Sequence, residues 1–269
     1  MALLFSLLAW SQSPNPDASK PAAPRLRVAV DPGHGGEDAG AKGPRGLREK
    51  DAALALAKEL KTALEEAGFE AHLTRDDDTF VPLWDRARMA NEAGADLFLS
   101  LHLNAARAKA ARGSEVYFLS LNQGDSDAAE VAALENAGSE TRPMEDSVLS
   151  SILQDMAQKA YLQESERLAV HIQTQLNHLG GIKERGVKQA PFVVLRGAAM
   201  PAALVEAAFI SNPKEEGKLR DEGFRRKVAQ AVAMGVRRYF ASVVNTPRRR
   251  AADQDFSSRD SGPIQSRPR

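Results

Sequence analysis

Residues 26–30 of this chain form an apolar, β-branched run that stops at Asp31, Pro32 and Gly33. Apolar residues then return at helical spacing (Leu54, Leu56, Leu60, Leu64) until Gly68. A buried strand feeding a helix predicts a βα unit, and the rhythm continues. Residues 69–74 alternate as a strand, 83–93 read as a helix, and 96–103 are apolar nearly throughout, as a strand covered on both faces must be. Further strands are expected at 113–119, 192–195 and 203–206, and helices at 164–179 and 222–244. The alternation predicts a single α/β domain over residues 25–244, a mainly parallel sheet flanked by helices.

Composition narrows the partners. The 36 basic and 36 acidic residues cancel, so no whole-molecule field draws the chain to nucleic acid. Cysteine is absent, and any metal site must be built from His, Asp and Glu. A membrane-spanning helix needs about 20 apolar residues, and no such run is present. The apolar residues 2–10, followed by Pro14, Pro16, Pro21 and Pro24, read as the core of a signal peptide within a leader spanning 1–24, or, since no Lys or Arg precedes them, as a disordered terminus. At the other end, 245–269 reads as a disordered basic tail.

Histidine is scarce, with five in all, and two of them stand where ligands bind in open α/β sheets, just past the carboxyl ends of strands. His34 follows the first strand and His102 lies at the end of the third. Two imidazoles so placed can converge on one ion, and a catalytic zinc takes three protein ligands, His/His/Glu being a standard set. Glu49, after a Gly-rich loop that can fold back, is the candidate third ligand, or else an acid favoured by the helix dipole. Glu206 ends an apolar run at another strand's carboxyl end, where a carboxylate is costly to bury unless it is paired or used, and is the candidate general base.

Several strings share a source. Val28-Ala-Val-Asp-Pro-Gly-His-Gly-Gly36, Ser100-Leu-His-Leu-Asn-Ala105, Lys188-Gln-Ala-Pro-Phe-Val-Val-Leu195, Met200-Pro201 and Leu204-Val-Glu-Ala-Ala-Phe-Ile-Ser-Asn-Pro213 resemble the zinc N-acetylmuramoyl-L-alanine amidases in the family's order, from about residue 25 to 239. The resemblance implies a sheet of about six strands, Zn2+ on His34, Glu49 and His102, and Glu206 as catalytic acid and base. It also implies peptidoglycan as substrate and a periplasmic or secreted location. Asn104, close to His102, is a candidate substrate hydrogen-bond donor.

Residues 120–164 break the strand and helix rhythm: the stretch is acidic and Ala-rich, with helical patches at 128–137 and 147–161. In the branch of the family that separates daughter cells, a helix inserted here covers the active site until an activator, of LytM type, removes it. Leu134-Glu-Asn-Ala137 resembles that helix, making Glu135 the candidate fourth ligand and Glu130 the alternative. His72, His171 and His178 read as ordinary surface or core residues, and the Gly-rich loop lacks the endings of nucleotide-binding loops. The competing functions are a zinc peptidase or deacetylase and a catalytically silent wall-binding module.

Overall fold

The first apolar run becomes β1 (Arg27–Pro32), and it lies inside a sheet because every residue from Val28 onward is covered on both faces. The computed structural model describes residues 25–120, 126–137 and 148–244, so the expected leader and basic tail lie outside the described residues. After β1 come α1 (Glu49–Glu66), β2 (Glu70–Leu73), α2 (Leu83–Glu92), β3 (Leu97–Asn104) and β4 (Ser114–Leu119). The chain continues with α3 (Ser126–Glu135), α4 (Val148–Asn177), β5 (Glu184–Ala190), β6 (Ala202–Phe209), α5 (Pro213–Arg220) and α6 (Glu222–Val244).

The six strands form one sheet in the order β2-β1-β3-β6-β4-β5. All neighbouring pairs are parallel except β4 with β6. The mainly parallel α/β expectation therefore holds. β3 and β6 sit at the centre and are buried at every residue, which is why their sequences are almost purely apolar. One core packs α1, α4 and α6 on one face through Leu56, Leu60, Ile172, Val232 and their neighbours, and α2 and α3 close the other over Phe98, Tyr117 and Phe192. Gly235 lets α4 and α6 touch: a Cβ there would stand 2.6 Å from Ile172 Cα.

Three expectations are corrected. Residues 192–195 are not a strand; Val193–Leu195 form a 3-10 turn that presses its side chains into the core. The missing strand is β5, whose sequence ERGVKQA has no apolar period because it is a partly exposed edge strand, carried by backbone pairing to β4. The helical patches at 147–161 and 164–179 are one 30-residue helix, α4, because nothing between them breaks a helix and Leu168, Ile172 and Leu176 dock it on the core.

The sheet order sets up the site. From β1 the chain passes through α1 to β2 on one side, while β3 lies on the other. The crevice between the carboxyl ends of β1 and β3 is thus a topological switch point.

Candidate metal centre

His34 sits in the loop that leaves β1 and is the one non-glycine residue with a left-handed backbone (φ 59°) among those described. Such a conformation costs on the order of 1 kcal/mol and is kept only where surroundings over-determine it. Here they do: Gly35 and Asp38 exchange two backbone hydrogen bonds, and Arg86 Nη2 donates to His34 O at 3.0 Å. His34 Nδ1 lies 2.8 Å from Asp38 Oδ2, which orients the ring so that Nε2 faces the crevice.

His102 reaches the same point from β3. Its ring lies against Gly33, where a Cβ would come within 2.4 Å of it, so only glycine fits that corner. Glu49, the first residue of α1, is 1% exposed and is held by two backbone donors, Ala41 N to Oε2 at 2.9 Å and Leu103 N to Oε1 at 2.8 Å. Glu135, at the last turn of α3, arrives from the opposite side.

One ligand atom from each of His34, Glu49, His102 and Glu135 lies within 4.8 Å of the other three, forming a possible metal site. His34 Nε2 stands 3.2 Å from Glu49 Oε2 and 3.3 Å from Glu135 Oε2, and His102 Nδ1 stands 3.3 Å from Glu49 Oε1 and 2.6 Å from Glu135 Oε2. His34 Nε2, His102 Nδ1 and Glu135 Oε2 are buried without a properly aligned hydrogen-bond partner. With zinc bonds of about 2.0–2.1 Å, the edge of a tetrahedron is about 3.3 Å; three of these four spacings lie near it, and that from His102 Nδ1 to Glu135 Oε2 is shorter at 2.6 Å.

Electrostatics point the same way. Burial opposes charge on His34, yet Glu49, Asp38 and Glu135 outweigh it and push its pKa up to about 12. Burial likewise opposes charge on His102, where Glu135 and Glu49 prevail and raise it to about 10. Burial pushes Glu49 and Glu135 up, and the two imidazoles overcome it, holding both carboxyls below the usual range. The cluster is built to hold positive charge between carboxylates.

Glu206 lies beside this group. It is the register partner of His102 on the adjoining strand, fully buried, and neither carboxylate oxygen has a hydrogen-bond partner. Burial, followed by the negative charges of Glu135, Glu49 and Glu115, holds its pKa well above the usual carboxylate value despite His102. A carboxyl so poised suits proton transfer near neutral pH. Asn104 lines the neighbouring cavity, and its Nδ2 donates to Glu115 Oε2 at 3.3 Å.

Sequence reasoning missed three groups here. Asp38 is four residues past His34 in a Gly-rich loop, and an acid that close to a ligand imidazole was a usable signal. Asn136 clasps α3 to the loop after β5, its Nδ2 donating to Pro191 O at 2.9 Å and its Oδ1 accepting from Val193 N at 2.8 Å. Glu115, the register partner of Glu206, gathers Arg185, Lys188 and the Tyr117 hydroxyl. The last two gave no signal, because their partners are distant in sequence. The histidines set aside stay apart from the cluster; His72 is half exposed and pairs with Glu70.

A sheet with its histidines and acids at the switch point defines a possible metal site in an α/β domain. The chain belongs to the N-acetylmuramoyl-L-alanine amidase family, whose profile matches residues 28–238. It is 40% identical over 232 residues to the amidase AmiA of Escherichia coli (strain K12), covering 84% of this chain and 79% of that one. It is 38% identical over 248 residues to AmiC of Neisseria meningitidis, covering 88% of this chain and 58% of the relative. Among solved structures it resembles the amidase AmiC2 of Nostoc punctiforme, with a TM-score of 0.61 at 30% identity over 80% of this chain and 97% of the other. The chain is an N-acetylmuramoyl-L-alanine amidase, and no helix among its described residues is long and apolar enough to cross a membrane.

Proposed function

We propose that this amidase is zinc-dependent, that His34, Glu49 and His102 hold the ion, and that it cleaves the amide between N-acetylmuramic acid and L-alanine in peptidoglycan during daughter-cell separation. The carrying observation is the convergence of two imidazoles and two carboxylates at the switch point. Zinc bound there supplies Lewis acidity toward the scissile carbonyl and lowers the pKa of water. Glu206 takes the proton of the attacking water and returns it to the departing L-alanine nitrogen, so no covalent intermediate is needed. Held by His34, Glu49 and His102 alone, the ion would leave room for a water or the substrate.

Glu135 would exclude that water in the resting chain, since its Oε2 lies 3.3 Å from His34 Nε2 and 2.6 Å from His102 Nδ1 and Asn136 ties the end of α3 to the loop after β5. Catalysis would then stop with His34, Glu49 and His102 still able to hold the metal. Glu130, the alternative, is exposed and outside the cluster. An activator of LytM type would relieve the block by drawing α3 away, and the substrate places the enzyme in the periplasm or outside the cell.

Glu206→Gln decides the mechanism. It is expected to retain stoichiometric zinc by elemental analysis while losing about 10²–10⁴-fold in release of stem peptides free of muramic acid, read by mass spectrometry. A variant that cleaves as fast as its parent removes the proton-transfer role; cuts within the stem peptide instead indicate a zinc peptidase.

A further inference from the structure

The Gly-rich loop between His34 and α1 ends in a small hairpin over residues 41–49. Lys42 and Arg48 pair across it as an antiparallel bridge, Glu49 N donates to Ala41 O at 2.9 Å, and Gly43 N donates to Leu47 O at 2.8 Å. The base of the hairpin touches the cluster. Ala41 N donates at 2.9 Å to Glu49 Oε2, the oxygen that stands 3.2 Å from His34 Nε2. Gly40 passes so close that a Cβ there would lie 2.6 Å from the His34 ring and 2.8 Å from that same oxygen. With no slack at this corner, a shift of the hairpin moves the Glu49 carboxylate with it.

The tip of the hairpin is held from the other end of the domain. Asn212 caps α5, its Oδ1 accepting from Lys214 N and Glu215 N, and Pro213 opens the helix, so Glu216 stands at a fixed point in its first turn. The Glu216 carboxylate is fully buried and accepts from Arg45 N at 2.8 Å and Leu47 N at 3.0 Å. Arg220 Nη2 donates both to it at 3.3 Å and to Arg45 O at 3.0 Å. Gly43 packs directly on it, since a Cβ there would lie 2.6 Å from Glu216 Cδ. A carboxylate is costly to bury unless it is paired, and the partners of this one are backbone groups of the hairpin. Its neighbour Glu215 turns elsewhere, accepting from Gly113 N at 3.0 Å and Phe209 N at 2.8 Å.

We propose that Glu216 is the positioning residue of Glu49: by holding the tip of the hairpin it fixes the base, and with it the Ala41 N–H that aims Oε2 at the cluster. This rests on the reading of Glu49 as a zinc ligand. Two adjacent acids of α5 thus have separate duties, Glu216 fixing the hairpin and Glu215 fixing the loop after β3 against the end of β6. Gln in place of Glu216 fills the same space but offers one acceptor oxygen where two amides and a guanidinium must be met.

The test uses the full-length chain as parent, with Glu216→Gln and, as the control for a general loss of stability, Glu215→Gln. Zinc affinity is measured by competition with a chromophoric chelator, and exchange of the Ala41 amide hydrogen is followed by NMR in the metal-free proteins. Glu216→Gln is expected to raise the zinc dissociation constant and the Ala41 exchange rate each by about tenfold, with Glu215→Gln near the parent in both. Arg220→Met removes only the half-exposed part of the grip and so spares folding, and should move both readings the same way by about threefold. Unchanged zinc affinity in Glu216→Gln, an equal loss in Glu215→Gln, or an Ala41 amide as protected as the parent's overturns the proposal. Should Glu216→Gln not fold, Arg220→Met decides, and parental values of both readings overturn it. A parent that binds no zinc defeats the zinc reading separately, and the Ala41 exchange rates still decide whether Glu216 holds the hairpin.

Discussion

Arg86 belongs to α2, yet it is 1% exposed and holds the base of the loop that presents His34. Its guanidinium donates to Asp31 Oδ1 at 2.9 Å and to the carbonyls of Pro32, His34 and Val81. Burial would raise the Asp31 pKa, but Arg86 and the hydroxyls of Thr74 and Ser100 outweigh it and keep the carboxyl below its usual 3.8. Because the folded value is depressed, the stability it contributes is fully present above pH 3.8 and is lost as pH falls through that folded value. Arg86→Met leaves the Asp31 charge buried and unpaired, and should destabilise the fold by about 3–5 kcal/mol in urea unfolding at neutral pH. A loss that does not shrink as Asp31 becomes protonated would show that lost packing, and not the unpaired charge, sets the cost.

α3 is the element whose removal the proposed switch requires. It rests on the core through Ala128, Val131 and Ala132, Glu135 meets the two imidazoles, and Asn136 supplies two hydrogen bonds to the loop after β5. At about 1 kcal/mol each, those bonds bias the seated helix by roughly 2 kcal/mol. Asn136→Ala is therefore expected to raise basal hydrolysis of purified peptidoglycan by up to about thirtyfold without changing zinc content. An unchanged rate in a folded, zinc-loaded variant would mean that α3 is held by something else. The elements themselves were unequally legible. β1, β3, β6 and α1 carry strong apolar periods and were read directly, whereas β5 is an edge strand whose pairing is a backbone property, and the residues of α4 gave two patches whose continuity came from docking on the core.

For the whole molecule, the metal cluster joins pieces far apart in sequence: the loop after β1, the start of α1, the end of β3 and the end of α3. Bound zinc should therefore stabilise the fold globally. At zinc a thousandfold above its Kd, linkage gives about 4 kcal/mol, or roughly 10 °C in a domain of this size. Scanning calorimetry should find the melting temperature lowered by a chelator and restored by zinc; no shift would remove zinc from the resting cluster.

What the sequence by itself determined is local: the alternating periods that specify an α/β domain, and the strings around His34, His102 and Glu206 whose chemistry is written in adjacent residues. Tertiary structure alone decided which distant groups meet. It chose Glu135 over Glu130 at the imidazoles, set Glu115 beside Glu206 through an antiparallel strand, and seated Asn136 on a loop more than fifty residues away. Spacing along a chain encodes periodicity, but a contact between remote residues depends on sheet order and register, which are settled only when the whole core packs.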